Sequence, residues 1–232
     1  MSLLPRAIVY IDGFNLYRRA LSGHNEYKWL DLVALSKNLL PDFDVTNVRY
    51  FSAHLKPEPF NKPHVIIHQQ IYMRALKTLS PTLSMHWGKY HSRPKRMLLY
   101  PYQIDPITQE FSKISVRQVE EKGSDVNLAS WMLVDAMSNS VDLSMVLTND
   151  SDQVGPLTLM RDVLGKNFGI IFPTSSAKSS KELLRIMPSI KLHIAADLLL
   201  QSQFPNELHD ELGNFQKPKM WRNSEGPIAG AF

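Results

Sequence analysis

Three short apolar runs, each stopping at acidic residues, constrain this chain more than any other feature. They are Ala7 to Ile11 before Asp12, Val116 to Lys122 before Gly123-Ser124-Asp125, and Leu143 to Leu147 before Thr148-Asn149-Asp150-Ser151-Asp152. A β-branched or aliphatic run that halts at an aspartate is the pattern of a buried parallel strand whose carboxyl end carries chemistry. In a doubly wound sheet those ends line one crevice, so Asp12, Asp125, Asp150 and Asp152 are expected to converge. Carboxylates at close quarters repel one another, and a cation relieves that repulsion. Hard oxygen ligands favour Mg²⁺ or Mn²⁺, the more so because the chain has no cysteine to build a thiolate site. Such a centre suits in-line displacement at phosphorus. Aspartate is also a favoured helix N-cap, and any one of these acids alone reads as a cap. The Asp150-Ser151-Asp152 pair weighs against that, since a cap needs one carboxylate.

Around these ends the chain alternates strand and helix. Strands are predicted over Arg6 to Ile11, Val45 to Phe51, Leu83 to Tyr90, Val141 to Leu147 and Phe168 to Phe172. Helical spacing runs through Ala20 after the Asp12-Gly13-Phe14-Asn15 turn, and over Trp29 to Leu40, Val65 to Leu79, Asp125 to Met137 and Val154 to Leu164. It returns over Ser180 to Met187 and His193 to Gln203, while Pro57-Glu58-Pro59 marks a loop. Residues 92–120 read as an extended, hairpin-like insertion. From Pro205 to Phe232 the chain reads as an irregular tail. The expected fold is α/β, a three-layer sandwich around a mainly parallel sheet.

Other properties narrow the class. No apolar stretch reaches about 18 residues, so no membrane span or membrane partner is expected. The Ile8 to Ile11 run leaves no room for a signal peptide, and the chain reads as a cytoplasmic protein. Net charge is +4, enough to permit an anionic partner without requiring one. Gly13 stands without the G-x-G-x-x-G spacing of a dinucleotide site.

The motif set resembles a known family. Ile8-Val9-Tyr10-Ile11-Asp12-Gly13-Phe14-Asn15 looks like the opening of NYN domains, the PIN-like ribonuclease group with a LabA-like branch. Glu121-Lys122-Gly123-Ser124-Asp125 is similar to their central motif, and Thr148-Asn149-Asp150-Ser151-Asp152 to their third. Asn149 and Gln153 stand where that third motif often has a glycine and an aromatic, but no carboxylate is lost. The resemblance covers about residues 6–175. It implies one NYN/PIN-like, Rossmann-like domain over 1–204 and metal-dependent endoribonuclease activity. Asp12, Asp125, Asp150 and Asp152 would then be catalytic and metal-binding, with Asn15 and Thr148 in support.

Contacts to RNA are sought among Lys89 and Arg93, in the basic and aromatic segment His86 to Arg96, and at Lys122. A strand with solvated basic neighbours explains that segment equally well. Two other readings of the same pocket stand beside the ribonuclease. One is a non-catalytic RNA- or protein-binding module, and the other is an enzyme acting on a small molecule. A homodimer is compatible with either.

Overall fold

In the computed structural model the described residues are 4–57, 62–138 and 141–222. Part of the predicted loop at Glu58-Pro59 and residues 223–232 of the predicted tail lie outside them. The chain builds β1 (Arg6–Asp12), α1 (Gly13–Leu16), α2 (Leu32–Leu39), β2 (Asp44–Ala53), α3 (Pro63–Lys77), β3 (Leu83–Leu98) and β4 (Lys113–Lys122). It continues through α4 (Ser124–Met137), β5 (Leu143–Leu147), α5 (Val154–Asp162), β6 (Phe168–Phe172), α6 (Lys181–Arg185), β7 (Ile190–His193) and α7 (Ala196–Gln201). A hairpin of β8 (Glu207–Asp210) and β9 (Gly213–Gln216) follows.

Seven strands form one sheet in the order β4-β3-β2-β1-β5-β6-β7. All neighbours are parallel except β3 and β4. The fold is therefore the expected α/β sandwich. Along β1 the side chains alternate between the two faces, as the period of a strand requires. Ala7, Val9 and Ile11 join the core packed by α2, α3 and α7. Ile8 and Tyr10 join the opposite core, which α4, α5 and α6 cover. Burial on both faces explains why β1 and β5 are almost wholly apolar.

The structure alters three sequence readings. Predicted as the start of a helix, His193 instead ends β7, because Ile190-Lys191-Leu192-His193 pairs along β6 at the sheet edge. The helix predicted from Trp29 begins at Leu32, since Asp31 caps it by accepting from the Val33 and Ala34 amides. The described part of the predicted irregular tail is ordered: Gly213, at φ +100°, turns the β8–β9 hairpin. Arg74 of α3 donates to Asp210 at 2.7 Å and to the Gly213 carbonyl at 2.9 Å.

This C-terminal segment closes over Trp29. Its fully buried indole donates to the Pro205 carbonyl at 2.8 Å and packs against Tyr72, Phe204, Phe215 and Trp221. Truncating an aromatic in such a setting costs about 3–5 kcal/mol. No helix among the described residues is long and apolar enough to cross a membrane.

The insertion is an arm. β3 follows β2 in parallel as far as Gly88, then runs on past the sheet and pairs antiparallel with β4 from Lys89↔Lys122 to Leu98↔Lys113. β4 thus returns the chain to the carboxyl edge of the sheet from outside it. Asp125 reaches the same edge as Asp12 and Asp150, although its preceding strand is antiparallel and only partly buried.

Candidate active site

Asp12 ends β1 and is 3% exposed. Its carboxylate is fully engaged: Oδ1 accepts from the Asn15 amide at 3.0 Å, and Oδ2 accepts from Asn15 Nδ2 at 2.6 Å and Thr148 Oγ1 at 2.9 Å. The capping role and the pocket role therefore coincide in one residue. Burial raises its proton affinity, and the three donors oppose that rise by favouring the anion. The next residue has to be glycine. A Cβ on Gly13 would lie 2.7 Å from the Phe51 carbonyl oxygen and against the Tyr50 ring.

Asp150 follows β5 through Thr148, whose hydroxyl accepts from the Asp150 amide at 3.1 Å. Asp150 caps the short turn Ser151–Gln153 by accepting from the Asp152 amide at 3.0 Å. Asp125 is different because it caps nothing. It sits in the first turn of α4, after Gly123 in the left-handed region at φ +103°. Carboxylate oxygens of Asp12, Asp125 and Asp150 lie within 4.8 Å of one another. Burial, then the charges of Asp12, Asp150, Glu121 and Asp152, push the Asp125 carboxyl up to about 6. The pocket therefore holds a proton-accepting group that titrates just below neutrality.

Of the predicted site residues, the structure brings together Asp12, Asn15, Asp125, Thr148 and Asp150. Asp152 stands outside the triad, exposed, and acts on Asp125 through its charge alone. Lys89 and Arg93 are exposed on the arm, and Lys122 is paired with Glu120 at 3.0 Å.

Two features escaped the sequence reading. Glu121 closes the β4 end by accepting from the Ser124 amide at 3.1 Å and from Ser124 Oγ at 2.6 Å. Its signal was a carboxylate three residues ahead of a helix-starting serine. A Cβ on Gly88 would collide with the Glu121 carboxylate and lie 2.9 Å from the Lys122 carbonyl oxygen. The second feature is a cavity of about 410 Å³ on the α2–α3 side of β1, walled by Phe14, Tyr17, Tyr50, Tyr72, Tyr90 and Trp221.

Cavity and triad share a boundary. Gly13 lines the cavity and directly follows Asp12. Burial and then the Asp12 charge raise the Tyr50 phenol to about 12. The Tyr90 phenol is raised by burial and by the Glu121 charge. A π-helical turn, Tyr17–Leu21, sets Tyr17 and Leu21 on the wall.

No family model matches the chain. It is 29% identical over 236 residues to the 6-hydroxy-3-succinoylpyridine 3-monooxygenase HspA of Pseudomonas putida, covering 93% of this chain and 75% of that protein. A crystal structure of a Vibrio parahaemolyticus protein of unknown function superposes with a TM-score of 0.53 at 12% identity, over 85% of this chain and 97% of that one. That likeness concerns the fold.

The monooxygenase overturns two expectations. The endoribonuclease reading gives way, because a relative covering nearly the whole chain is an enzyme of a small aromatic molecule. The contacts to RNA sought at Lys89, Arg93 and Lys122 are expected only as part of that reading. The Mg²⁺ or Mn²⁺ hydrolytic centre goes as well, since oxygen insertion draws on dioxygen and a two-electron reductant rather than on a cation that activates water. The alternative of a small-molecule enzyme using the same acidic pocket is the reading this relative favours.

Proposed function

We propose that this chain is an enzyme acting on a small hydroxylated heteroaromatic molecule, and that oxygen insertion into its ring is the reaction. The observation that carries this reading is the aromatic cavity bordering a carboxylate cluster. A pocket of about 410 Å³ suits one small aromatic molecule, within the ordinary range for small-ligand sites. The relative's name supplies the reaction class.

The cluster's chemistry fits the ring. In a hydroxypyridine numbered as in that name, carbon 3 stands para to the 6-hydroxyl and bears the acyl chain. The C–O bond formed there replaces the bond from carbon 3 to that chain, which leaves as a carboxylic acid as dioxygen and a two-electron reductant are consumed. Removing the hydroxyl proton pushes electron density onto that carbon and readies it for an electrophilic oxygen. Asp125 is the group to take that proton, as a carboxylate raised to about 6 and bound to no cap. Asp12, held by Asn15 and Thr148, and Asp150 keep Asp125 basic and fix the edge at which the hydroxyl arrives. The NYN-like motif set enters this reading as the frame that brings the acids together, put to use on a small molecule.

A phosphate-bearing redox cofactor, which would supply the two electrons, does not fit at the strand ends. Three carboxylates there repel a pyrophosphate, and the Asp12 side chain already occupies the amide of Asn15 at the start of α1. The part assigned to the triad is proton handling.

The test is incubation with 6-hydroxy-3-succinoylpyridine, labelled dioxygen and reduced nicotinamide, with and without added flavin, read by mass spectrometry. The expected result is one labelled oxygen in the product, lost in Asp125→Asn. Absence of turnover with every hydroxypyridine and reductant combination overturns the reading.

A further inference from the structure

The cavity wall is chemically lopsided. Among the described residues its lining contains no aspartate or glutamate, and its only lysine or arginine is Lys28, with His64 and His68 beside it. Lys28 Nζ donates to Asn25 Oδ1 at 2.7 Å and lies 5.9 Å from the centre of the Tyr17 ring, with no ion-pair partner among the described residues. His64 and His68 stand four residues apart on α3, on one helix face, with ring centres 5.7 Å apart. Trp221 packs on His68 at 5.5 Å and walls the same space. Lys28, His64 and His68 are close enough that their charges act on one another: burial and then both neighbours lower the proton affinity of His68. The Glu26 carboxylate is close enough for its charge to act on Lys28 but forms no ion pair with it among the described residues. Burial still disfavours this ammonium, and an incoming anion on the cavity side relieves that cost.

We infer that Lys28, with His68 beside it, forms a subsite for the carboxylate of an aromatic acid whose ring lies against the Tyr50–Phe14 end of the cavity. One ammonium flanked by imidazoles suits a single negative charge. A phosphate would find neither an arginine fork nor a glycine-rich nest of amides among the lining residues. The arrangement also orients the ligand. Its anionic end is drawn to Lys28 and repelled by Asp12, Asp125 and Asp150, so the opposite edge of the ring is presented to the acids. The inference rests on the small-molecule reading above and names the recognition element within it.

The test is a binding measurement independent of turnover. 4-Oxo-4-phenylbutanoate and its methyl ester, which lack the ring hydroxyl, are titrated into the full chain by calorimetry. The acid is expected to bind at least about tenfold more tightly than the ester, the scale of a hydrogen bond to a charged group. Lys28→Met should abolish that preference while leaving ester affinity unchanged, and Lys28→Arg should retain most of it. Equal binding of acid and ester, or a preference that survives Lys28→Met, overturns the subsite, and loss of the preference in Lys28→Arg counts against it independently of how Lys28→Met folds. Acid preference without turnover of any hydroxypyridine overturns the proposed reaction and leaves the subsite standing. Turnover without acid preference does the reverse.

Discussion

The acid pocket and the aromatic cavity meet at Gly13 yet are built in opposite ways. The pocket is assembled from strand ends, and its carboxylates are fixed by local bonds such as Asn15 and Thr148 to Asp12. The cavity is assembled from segments far apart in the chain: α1 and its π-turn, the turn holding Lys28, α3, β3 and Trp221. One region concentrates negative charge, and the other holds apolar surface with an ammonium at one side. The difference implies a division of labour, with proton transfer in the pocket and recognition in the cavity.

Single substitutions should separate the two regions in function. The largest effect is expected from Asp125→Asn, which removes the base and should lower turnover on the order of 10²- to 10⁴-fold. Binding of 4-oxo-4-phenylbutanoate should be unchanged in the same protein, as calorimetry would show. A parallel loss of both would mean that pocket and cavity are not separate in function.

Next in size is the pH dependence. Asp125 must be ionised to accept a proton, so kcat/KM should fall about tenfold per unit as pH drops below about 6. Acid-probe binding should not follow that profile. Lys28→Met should act in the opposite sense, raising KM for an aromatic acid about tenfold with kcat preserved. A fall in kcat of the same size would place Lys28 in the chemistry instead.

The smallest effect concerns stability. The folded chain holds the Asp125 proton up to about pH 6, whereas an unfolded aspartate releases it near its ordinary pKa. Folding therefore takes up a proton between those values, and stability is lost as pH rises through that window. Asp125→Asn removes the penalty. It should raise Tm at pH 7.5 by about 2–4 °C, the shift for roughly 1 kcal/mol in a chain of this size after allowing for partial solvent screening. At pH 4 and below the gap should close, as a pair of thermal melts would show.

The same contrast explains what could be read beforehand. Strands buried on both faces leave an unbroken apolar signature, so β1, β5 and β6 and the acids after β1 and β5 were legible from local pattern. Asp125 was placed correctly for an incomplete reason: the arm of β3 and β4, and not a parallel strand, returns the chain to the sheet edge. β7 was missed because its alternating, half-exposed residues carry an edge-strand pattern that adjoins α7. The cavity had no contiguous signal, since His64 and His68 meet Lys28 and Trp221 only after the C-terminal hairpin folds over Trp29. The motifs named the acids but not their substrate, because an acid-lined crevice serves more than one chemistry.

The most direct measurement is a crystal structure of the chain with 6-hydroxy-3-succinoylpyridine bound. The ring is expected in the cavity between Phe14 and Tyr50, with the carboxylate at Lys28 and the ring hydroxyl turned toward Asp125. A ligand bound in the reverse orientation, or held outside the cavity on the arm, would contradict that placement.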